Sequence, residues 1–251
     1  MKELKSEWSK KYNNVTTQHS INLDEKSPEN FIDQIKWEYI NMYMPNSGIV
    51  LEVGAGSGRL LTRIGSKNNS LKLIGVDYIK NSSKLIKENI FSLNLSGTAI
   101  CADAFHLPFK SNSVSVVLSG GLLEHFNETE IDNVVKEMVR VLNPHGLFYA
   151  DIVPEKFSLC RPIILTKHGG YENNFSMDKW RKILTKNGLL IDRIFSGCII
   201  PPNFYCWFRS GPQLDIVYSL KSWIKKMDNT FVSDTFGFLY YVFAFKVGDN
   251  K

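Results

Sequence analysis

Between residues 48 and 152, short apolar runs alternate with amphipathic segments, and this alternation constrains the fold more than any other feature of the sequence. The apolar runs predict strands at 49–53, 71–76, 98–101, 114–118 and 147–152. The segments that separate them predict helices at 59–64, 81–93 and 128–142. Repeated βα units imply a parallel sheet with right-handed crossovers and helices on both faces. Because the ligand of such a sheet binds beyond the carboxyl ends of the strands, we expect the chemistry there. The first four strands end at Val53, Val76, Cys101 and Leu118.

Further elements are predicted on both sides of this core. A helix is expected at 27–44, where Ser27 can cap the first turn and Pro28 suits a position whose N–H has no partner. After the core, the pattern predicts a helix at 177–186, a strand at 189–195, an amphipathic helix at 214–227 and a last strand at 238–246.

The composition restricts the class of protein. Hydrophobic residues make up 43% and charged residues 22% of 251 residues, which is close to globular averages and sufficient for one α/β domain with a large core. No apolar run approaches the roughly 20 residues that span a bilayer, and the first residues lack the apolar centre of a secretory signal. A soluble cytoplasmic protein without a transmembrane segment is therefore expected. The net charge of +5 is small and scattered, which argues against a nucleic-acid partner.

The stretch VLEVGAGSGRL at 50–60 is typical of a strand, a glycine turn and the start of a helix. Glycine permits positive φ and the close approach of a ligand to the backbone. Asp77 ends the second strand, 19 residues after Gly58, where a carboxylate can accept hydrogen bonds from two ribose hydroxyls. The loop and the acid together indicate a cofactor with an adenine-ribose unit.

Two residues beside this loop indicate the charge of the group that the cofactor carries on its adenine-ribose unit. The dinucleotide pattern GxGxxG is not met, because Arg59 stands where the third glycine would be. Glu52 lies at the tip of the preceding strand and would oppose an anionic pyrophosphate by about 1 kcal/mol or more at short range. It favours a cofactor with an ammonium and a sulfonium. The alternative is that Glu52 only caps amides of the loop itself.

Five ordered motifs between residues 48 and 152 resemble those of the class I S-adenosylmethionine-dependent methyltransferases. They are EVGAGSG at 52–58, VD at 76–77, ADAFHLPF at 102–109, VLSGGLLEH at 117–125 and VLNPHG at 141–146. The resemblance implies a Rossmann-like α/β fold with a seven-stranded, mostly parallel sheet, helices on both faces, an antiparallel last strand, and helical and aromatic lid insertions. That last strand is expected at 238–246, FLYYVFAFK. The implied cofactor is S-adenosylmethionine, with S-adenosylhomocysteine as its product.

The resemblance also implies a role for each matching residue. The methionine end of the cofactor would be lined by Glu52, Gly54, Ala55, Gly56 and Gly58. Asp77 would bind the ribose hydroxyls, with Tyr78 against the adenine. Asp103 would accept a hydrogen bond from the adenine amino group, and the backbone of Ala104 would contact the ring. A turn-forming role for Asp103 and ordinary exposure of Tyr78 are the alternatives.

The end of the fourth strand carries the candidate for catalysis. Ser119 and Gly120 would offer backbone atoms to the methionine ammonium. His125 follows six residues after Ser119 and, as the catalytic base, would take the proton of a hydroxyl nucleophile; fixing the loop is its alternative role. Some quinone O-methyltransferases of this fold hold a divalent metal through a similar LEH segment and a further carboxylate. That position is Gly121 here, so no metal is expected.

The resemblance further divides 1–251, taken as a single methyltransferase domain, into four parts. They are an N-terminal helical cap (1–44), a cofactor-binding core (48–152), late insertions that form an acceptor lid (153–236) and the final strand (238–247). The lid carries aromatic side chains suited to an apolar or partly apolar small molecule: Phe204, Tyr205, Trp207, Phe208 and Trp223. For the segment 214–227, a core-packed lid helix is favoured over weak peripheral contact with anionic lipid. A monomer or a homodimer is expected.

The functional hypothesis is therefore transfer of a methyl group to a small-molecule acceptor with an oxygen nucleophile. A non-catalytic cofactor-binding or scaffold subunit of the same fold is the alternative. A nicotinamide reductase is disfavoured by Arg59 and Glu52.

Overall fold

Strands and helices alternate along the chain as the sequence predicts. The computed structural model describes residues 21–23, 26–153, 173, 175–199, 212–237 and 239–248. The strands are β1 (Gly48–Val53), β2 (Leu71–Asp77), β3 (Gly97–Cys101), β4 (Val114–Gly120), β5 (Leu142–Ile152), β6 (Leu189–Gly197) and β7 (Leu239–Lys246). The helices are α1 (Pro28–Ile40), α2 (Arg59–Lys67), α3 (Lys80–Ser92), α4 (Glu128–Val141), α5 (Met177–Lys186), α6 (Pro212–Ser219), α7 (Lys221–Met227) and α8 (Phe231–Phe236). A single 3₁₀ turn, Leu123–His125, separates β4 from α4.

The strands form one seven-stranded sheet in the order β3-β2-β1-β4-β5-β7-β6. β1 pairs in parallel with β2 on one side and with β4 on the other. β7 is antiparallel to both of its neighbours, β5 and β6. The strand order reverses between β1 and β4, so the crevice above their carboxyl ends is the expected ligand site. The Rossmann-like class and the antiparallel last strand are confirmed.

Apolar side chains cover both faces of the sheet. One core cluster packs α1 and α2 on one face, and the other packs α4 and α5 on the opposite face. α4 begins at a capping box: the Asn127 side chain accepts from the Glu130 amide, and the Glu130 carboxylate accepts from the Asn127 amide. The regularly spaced apolar residues from this helix to the start of β5 are all buried: Ile131, Val134, Val135, Met138, Val139 and Leu142. The best periodic segment of the sequence was therefore predicted in the correct place and orientation.

Several boundaries differ from the prediction. α1 ends at Ile40 rather than near 44, so Met42 lies beyond the helix and is 59% exposed. The amphipathic segment 214–227 divides into two helices at Leu220, and it buries Val217 and Ile224 while Trp223 stays 49% exposed. The short helix α8 has no strong pattern and was not predicted.

The strands β4 and β5 are both longer than predicted. β4 continues through Ser119 and Gly120 because these residues pair with Ala150 and Asp151 of β5. β5 begins at Leu142, which pairs with Val114 across an irregularity in the register. Partner strands supply these hydrogen bonds, so the extra residues carry no local signal.

Three predicted regions lie wholly or mostly outside the described residues: 1–20 of the helical cap, the first late insertion, and the aromatic segment with Phe204, Tyr205, Trp207 and Phe208. In the parts of the chain that the structure does describe, no helix combines the length and the apolar character needed to cross a bilayer.

Candidate active site

A cavity of about 380 Å³ opens where the carboxyl ends of β1, β2 and β4 meet. It coincides with the crevice that the reversal of strand order predicts. Its walls include most of the residues singled out from the sequence: Glu52, Gly54, Ala55, Gly56, Asp77, Tyr78, Asp103, Gly120 and His125. These residues are far apart in the sequence, and the parallel sheet brings them together.

The glycine loop after β1 forms the floor of the cavity. Gly54 has a φ of 72°, and a Cβ there would lie 2.9 Å from the Leu122 side chain, so the close approach of these two segments requires glycine. The amides of Gly54 and Ala55 both donate to the carbonyl of Val76, at 2.8 and 3.1 Å. The loop is therefore held across the end of β2.

Asp77 is fixed by two backbone amides. Its Oδ2 accepts from the Gly56 amide at 2.9 Å and its Oδ1 from the Ile79 amide at 2.8 Å. Burial raises the pKa of Asp77 above its usual range, against the opposing effect of these amides. Each carboxylate oxygen has a second lone pair, so both can still accept from the vicinal hydroxyls of a ribose.

The opposite side of the cavity is aromatic. Tyr78 lines it and is 51% exposed. Asp103 lines it as well, and its Oδ1 accepts from the Phe105 amide at 3.1 Å, so this carboxylate also shapes its own turn. Phe105 and Phe126 pack edge to face with centroids 5.4 Å apart, and both line the cavity. These two rings were not predicted, because aromatic residues in loops have no periodic context in the sequence.

Glu52 is a buried carboxylate in the cavity wall, with 5% of its surface exposed. Its Oε2 accepts from the amide of Leu61 at 3.2 Å, so the amide it caps belongs to α2 and not to the glycine loop. Burial raises the pKa of Glu52 to about 8, although the nearby Lys36 ammonium opposes this shift. A cationic ligand group beside it would favour the ionised form.

In the turn after β4, the adjacent residues Glu124 and His125 have different surroundings. His125 lines the cavity. Glu124 is 1% exposed, and its Oε1 accepts from the Val153 amide at 3.1 Å, which ties the turn to the end of β5. Gly121 takes a φ of 64° at the start of this turn. Among the described residues, no group of three or more His, Cys, Asp and Glu side chains is arranged to hold a metal.

Three residues from the predicted cofactor set do not line the cavity. Gly58 is the N-cap of α2 with a φ of 73°, and a Cβ there would lie 3.0 Å from Ile86, so its glycine is required by packing. Ser119 is 1% exposed within β4 because it pairs with β5. Ala104 packs against the apolar cluster on the α4 face. The direct contacts predicted between these three residues and the cofactor stay predictions.

A group of charged side chains that the sequence analysis missed forms one wall. Asp33 and Lys36 of α1 reach the cavity beside Arg59 at the start of α2. Arg59 Nε lies 3.1 Å from Asp33 Oδ2, and Lys36 Nζ lies 2.8 Å from Asp151 Oδ1 at the end of β5. The spacing of residues 33 and 36 places them on one helix face, but only the docking of α1 shows that this face meets the ligand cavity.

These residues fit an adenosine with a positively charged tail. Asp77 offers two acceptors for ribose hydroxyls, and the aromatic side chains suit a flat base. Glu52 is a buried carboxylate, and a cationic ligand group would stabilise its ionised form. Fold and site together define a Rossmann-like domain with a cavity suited to S-adenosylmethionine.

Comparison with known proteins matches the central part of the chain. The family model described as a methyltransferase domain matches residues 50–146. This match confirms, for that segment, the sequence-based resemblance to the class I S-adenosylmethionine-dependent methyltransferases and the cofactor class.

Individual relatives are distant. Phosphoethanolamine N-methyltransferase 1 of Triticum aestivum is 28% identical over 149 residues, which cover 58% of this chain and 29% of that protein. The probable tRNA methyltransferase 9B of Homo sapiens is 26% identical over 135 residues, covering 51% of this chain and 28% of that protein. The chain thus spans less than a third of the length of either relative.

A solved structure with the same fold covers nearly the whole chain. Geranyl diphosphate C-methyltransferase of Streptomyces coelicolor A3(2), in complex with Mg²⁺, geranyl diphosphate and S-adenosylhomocysteine, superimposes with a TM-score of 0.65. It is 12% identical, and the match covers 97% of this chain and 98% of that one. This likeness establishes the fold.

Proposed function

We propose that this protein transfers the methyl group of S-adenosylmethionine to an oxygen nucleophile of a small-molecule acceptor. The observation that carries the proposal is that Glu52, Asp77 and His125 line one cavity at the switch point of the sheet. The cofactor supplies an electrophilic methyl group on a sulfonium when it is bound. The tasks of the chain are to orient both reactants, exclude water and accept a proton.

Each side of the cavity has its own part in this proposal. Asp77 binds the two ribose hydroxyls while its amide contacts hold the loop in place. Tyr78, Asp103 and Phe105 contain the adenine. Glu52 and Gly120 receive the ammonium of the methionine part. Three further residues support the cavity wall without lining it. The loop is held by Gly58, the turn by Ala104 and the strand by Ser119.

His125 accepts the proton of the acceptor. As the acceptor oxygen bonds to the methyl carbon, the carbon–sulfur bond breaks and its electron pair stays on sulfur, and the imidazole takes the hydroxyl proton. Position favours His125 over Glu124, because Glu124 is directed to the Val153 amide. Proton transfer to a positioned imidazole is a common form of general-base catalysis.

The acceptor is proposed to be a small molecule and not a nucleic acid. The small net charge of +5 supports this proposal, whereas the likeness to a probable tRNA methyltransferase favours RNA. We further propose that the protein is cytoplasmic and is a monomer or a homodimer. The aromatic lid segment, by its composition, is assigned to acceptor binding.

Isothermal titration with S-adenosylhomocysteine tests the cofactor assignment. We expect saturable binding and a rise in melting temperature, with NADH as a negative control. No heat and no thermal shift at millimolar ligand would contradict the proposal.

The acceptor class is tested with S-adenosylmethionine that carries a labelled methyl group. Label should appear in the small-molecule fraction of a cell extract, whereas label in the RNA fraction would contradict the small-molecule acceptor, and no transfer to either would favour a non-catalytic binding subunit.

Cofactor binding is expected to be linked to proton release by Glu52. Burial holds the pKa of Glu52 at about 8 in the free protein, so at pH 7 the carboxyl is mostly protonated. The cofactor ammonium favours the ionised form, so binding must release this proton. The dissociation constant should therefore fall about tenfold from pH 6 to pH 7 and level off above pH 8.

Titration in buffers of different ionisation enthalpy measures the protons released. The wild type should release close to one proton at pH 7, and Glu52→Gln should release none and lose the pH dependence. Glu130→Gln is the matched control, because glutamine also serves in a capping box and Glu130 lies outside the cavity lining. Unchanged pH dependence in Glu52→Gln would contradict the assignment.

A further inference from the structure

A lysine from outside the matched methyltransferase segment reaches the cavity. Lys36 belongs to α1, whereas the family match begins at residue 50. Its side chain lines the same cavity as Glu52 and is 14% exposed. Burial of an ammonium at this depth is costly, so its position calls for an explanation in terms of partners.

The surroundings keep Lys36 charged and in place. Its Nζ lies 2.8 Å from Asp151 Oδ1, and Asp151 is itself 2% exposed and accepts from the Tyr149 hydroxyl at 3.2 Å. Burial lowers the pKa of Lys36, but the carboxylates of Asp151, Asp33 and Glu52 outweigh it and hold the pKa above its usual value. Lys36 is therefore a cation at a fixed position in the wall.

The geometry leaves donors of Lys36 for a ligand. An ammonium carries three N–H donors, and the hydrogen bond to Asp151 uses one of them. Arg59, the neighbouring cation of this wall, is directed toward α1 instead: its Nε donates to Asp33 at 3.1 Å and its Nη2 to Asn30 at 2.8 Å. Lys36 is thus better placed than Arg59 to donate into the cavity.

We propose that Lys36 binds the α-carboxylate of the cofactor while Glu52 binds its ammonium, so that one wall recognises both charges of the amino-acid end. This inference rests on the proposed function. Once cofactor binding ionises Glu52, this carboxylate and the Lys36 ammonium are together complementary to a zwitterion, and Asp151 positions the lysine for this contact. The consequence is selectivity: the site should distinguish a complete amino-acid tail from one that lacks the carboxylate.

The experiment compares two ligands that differ only in that carboxylate. S-adenosylhomocysteine carries it, and the decarboxylated analogue S-adenosyl-3-thiopropylamine keeps the nucleoside, sulfur and ammonium. By isothermal titration we expect Lys36→Met to weaken S-adenosylhomocysteine at least about tenfold, because a hydrogen bond to a charged group is lost. The analogue should bind within about threefold of its wild-type affinity. Lys36→Arg should restore most of the preference for the complete tail.

Lys225→Met provides the matched control. Lys225 lies on α7, pairs with Glu38 of α1 and is outside the cavity lining, so both ligands should bind this variant as they bind the wild type. Because Lys36→Met leaves a buried Asp151 carboxylate without its cation, the double variant Lys36→Met/Asp151→Asn provides a second test with a neutral wall. It should show the same selective loss.

The outcomes separate the two levels of the proposal. If the wild type fails to bind S-adenosylhomocysteine, the proposed function falls and the inference with it. If the wild type binds, but the Lys36 variants weaken both ligands equally or weaken neither, the function stands and Lys36 only neutralises Asp151. A loss confined to S-adenosylhomocysteine supports the inference.

Discussion

Replacing Asp77 with alanine is expected to weaken the binding of S-adenosylhomocysteine by at least about 100-fold. Two ribose hydroxyls lose a charged acceptor, and hydrogen bonds to charged groups contribute about 1.5–3 kcal/mol each. The same change also frees the Gly56 amide, which the Asp77 carboxylate holds at 2.9 Å. The glycine loop would therefore lose a restraint at the point where the cofactor approaches its backbone.

Isothermal titration measures this effect, and circular dichroism checks that the variant is folded. Asp178→Ala is the matched control: the same substitution is made at an exposed carboxylate in the first turn of α5, outside the cavity lining. The Asp77 variant should weaken S-adenosyl-3-thiopropylamine as strongly as S-adenosylhomocysteine, because both ligands contain the ribose. A loss below tenfold for either ligand would show that Asp77 serves the loop and not the ligand.

Replacing His125 with alanine should lower turnover at least tenfold and leave the affinity for S-adenosylhomocysteine within a few-fold of the wild type. The base acts on the acceptor and not on the cofactor, and proton transfer by a positioned side chain contributes about 10²- to 10⁴-fold. The change in rate should therefore be much larger than the change in cofactor binding.

Transfer of labelled methyl groups to an extract fraction that the wild type methylates measures this turnover. His106→Ala is the control, because His106 is an exposed histidine of a nearby loop and is outside the cavity lining. If turnover hardly changes, His125 fixes the turn after β4 and the base must be sought elsewhere.

Much of the site could be predicted because its residues follow strands that a local pattern reveals. The apolar runs locate the strand ends, and ligands of a parallel sheet bind beyond those ends. Glu52, Asp77 and His125 were found in this way, and all three line the cavity. How deeply these side chains are buried could not be predicted. The pKa of Glu52 rises to about 8 only because neighbouring elements bury it.

Features that the sequence did not reveal share a physical cause. Ser119 is in the predicted place along the chain, and its burial, with 1% of its surface exposed, depends on pairing with β5. Lys36 was overlooked because its chemistry depends on Asp151, more than a hundred residues away. Asp33 was overlooked because its partner is Arg59 of another helix. A hydrogen bond between distant residues has no sequence signature when one chain is considered alone.

The sequence by itself determined the alternation of strands and helices, the glycine loop, the acid at the end of β2 and hence the class of cofactor. These features depend on local periodicity and on backbone conformations that few residues can adopt. Tertiary structure alone decided which side chains share the cavity, how deeply Glu52 is buried, and that α1 brings a lysine to the same wall. Packing decides these properties because burial and ion pairing arise between elements that lie far apart along the chain.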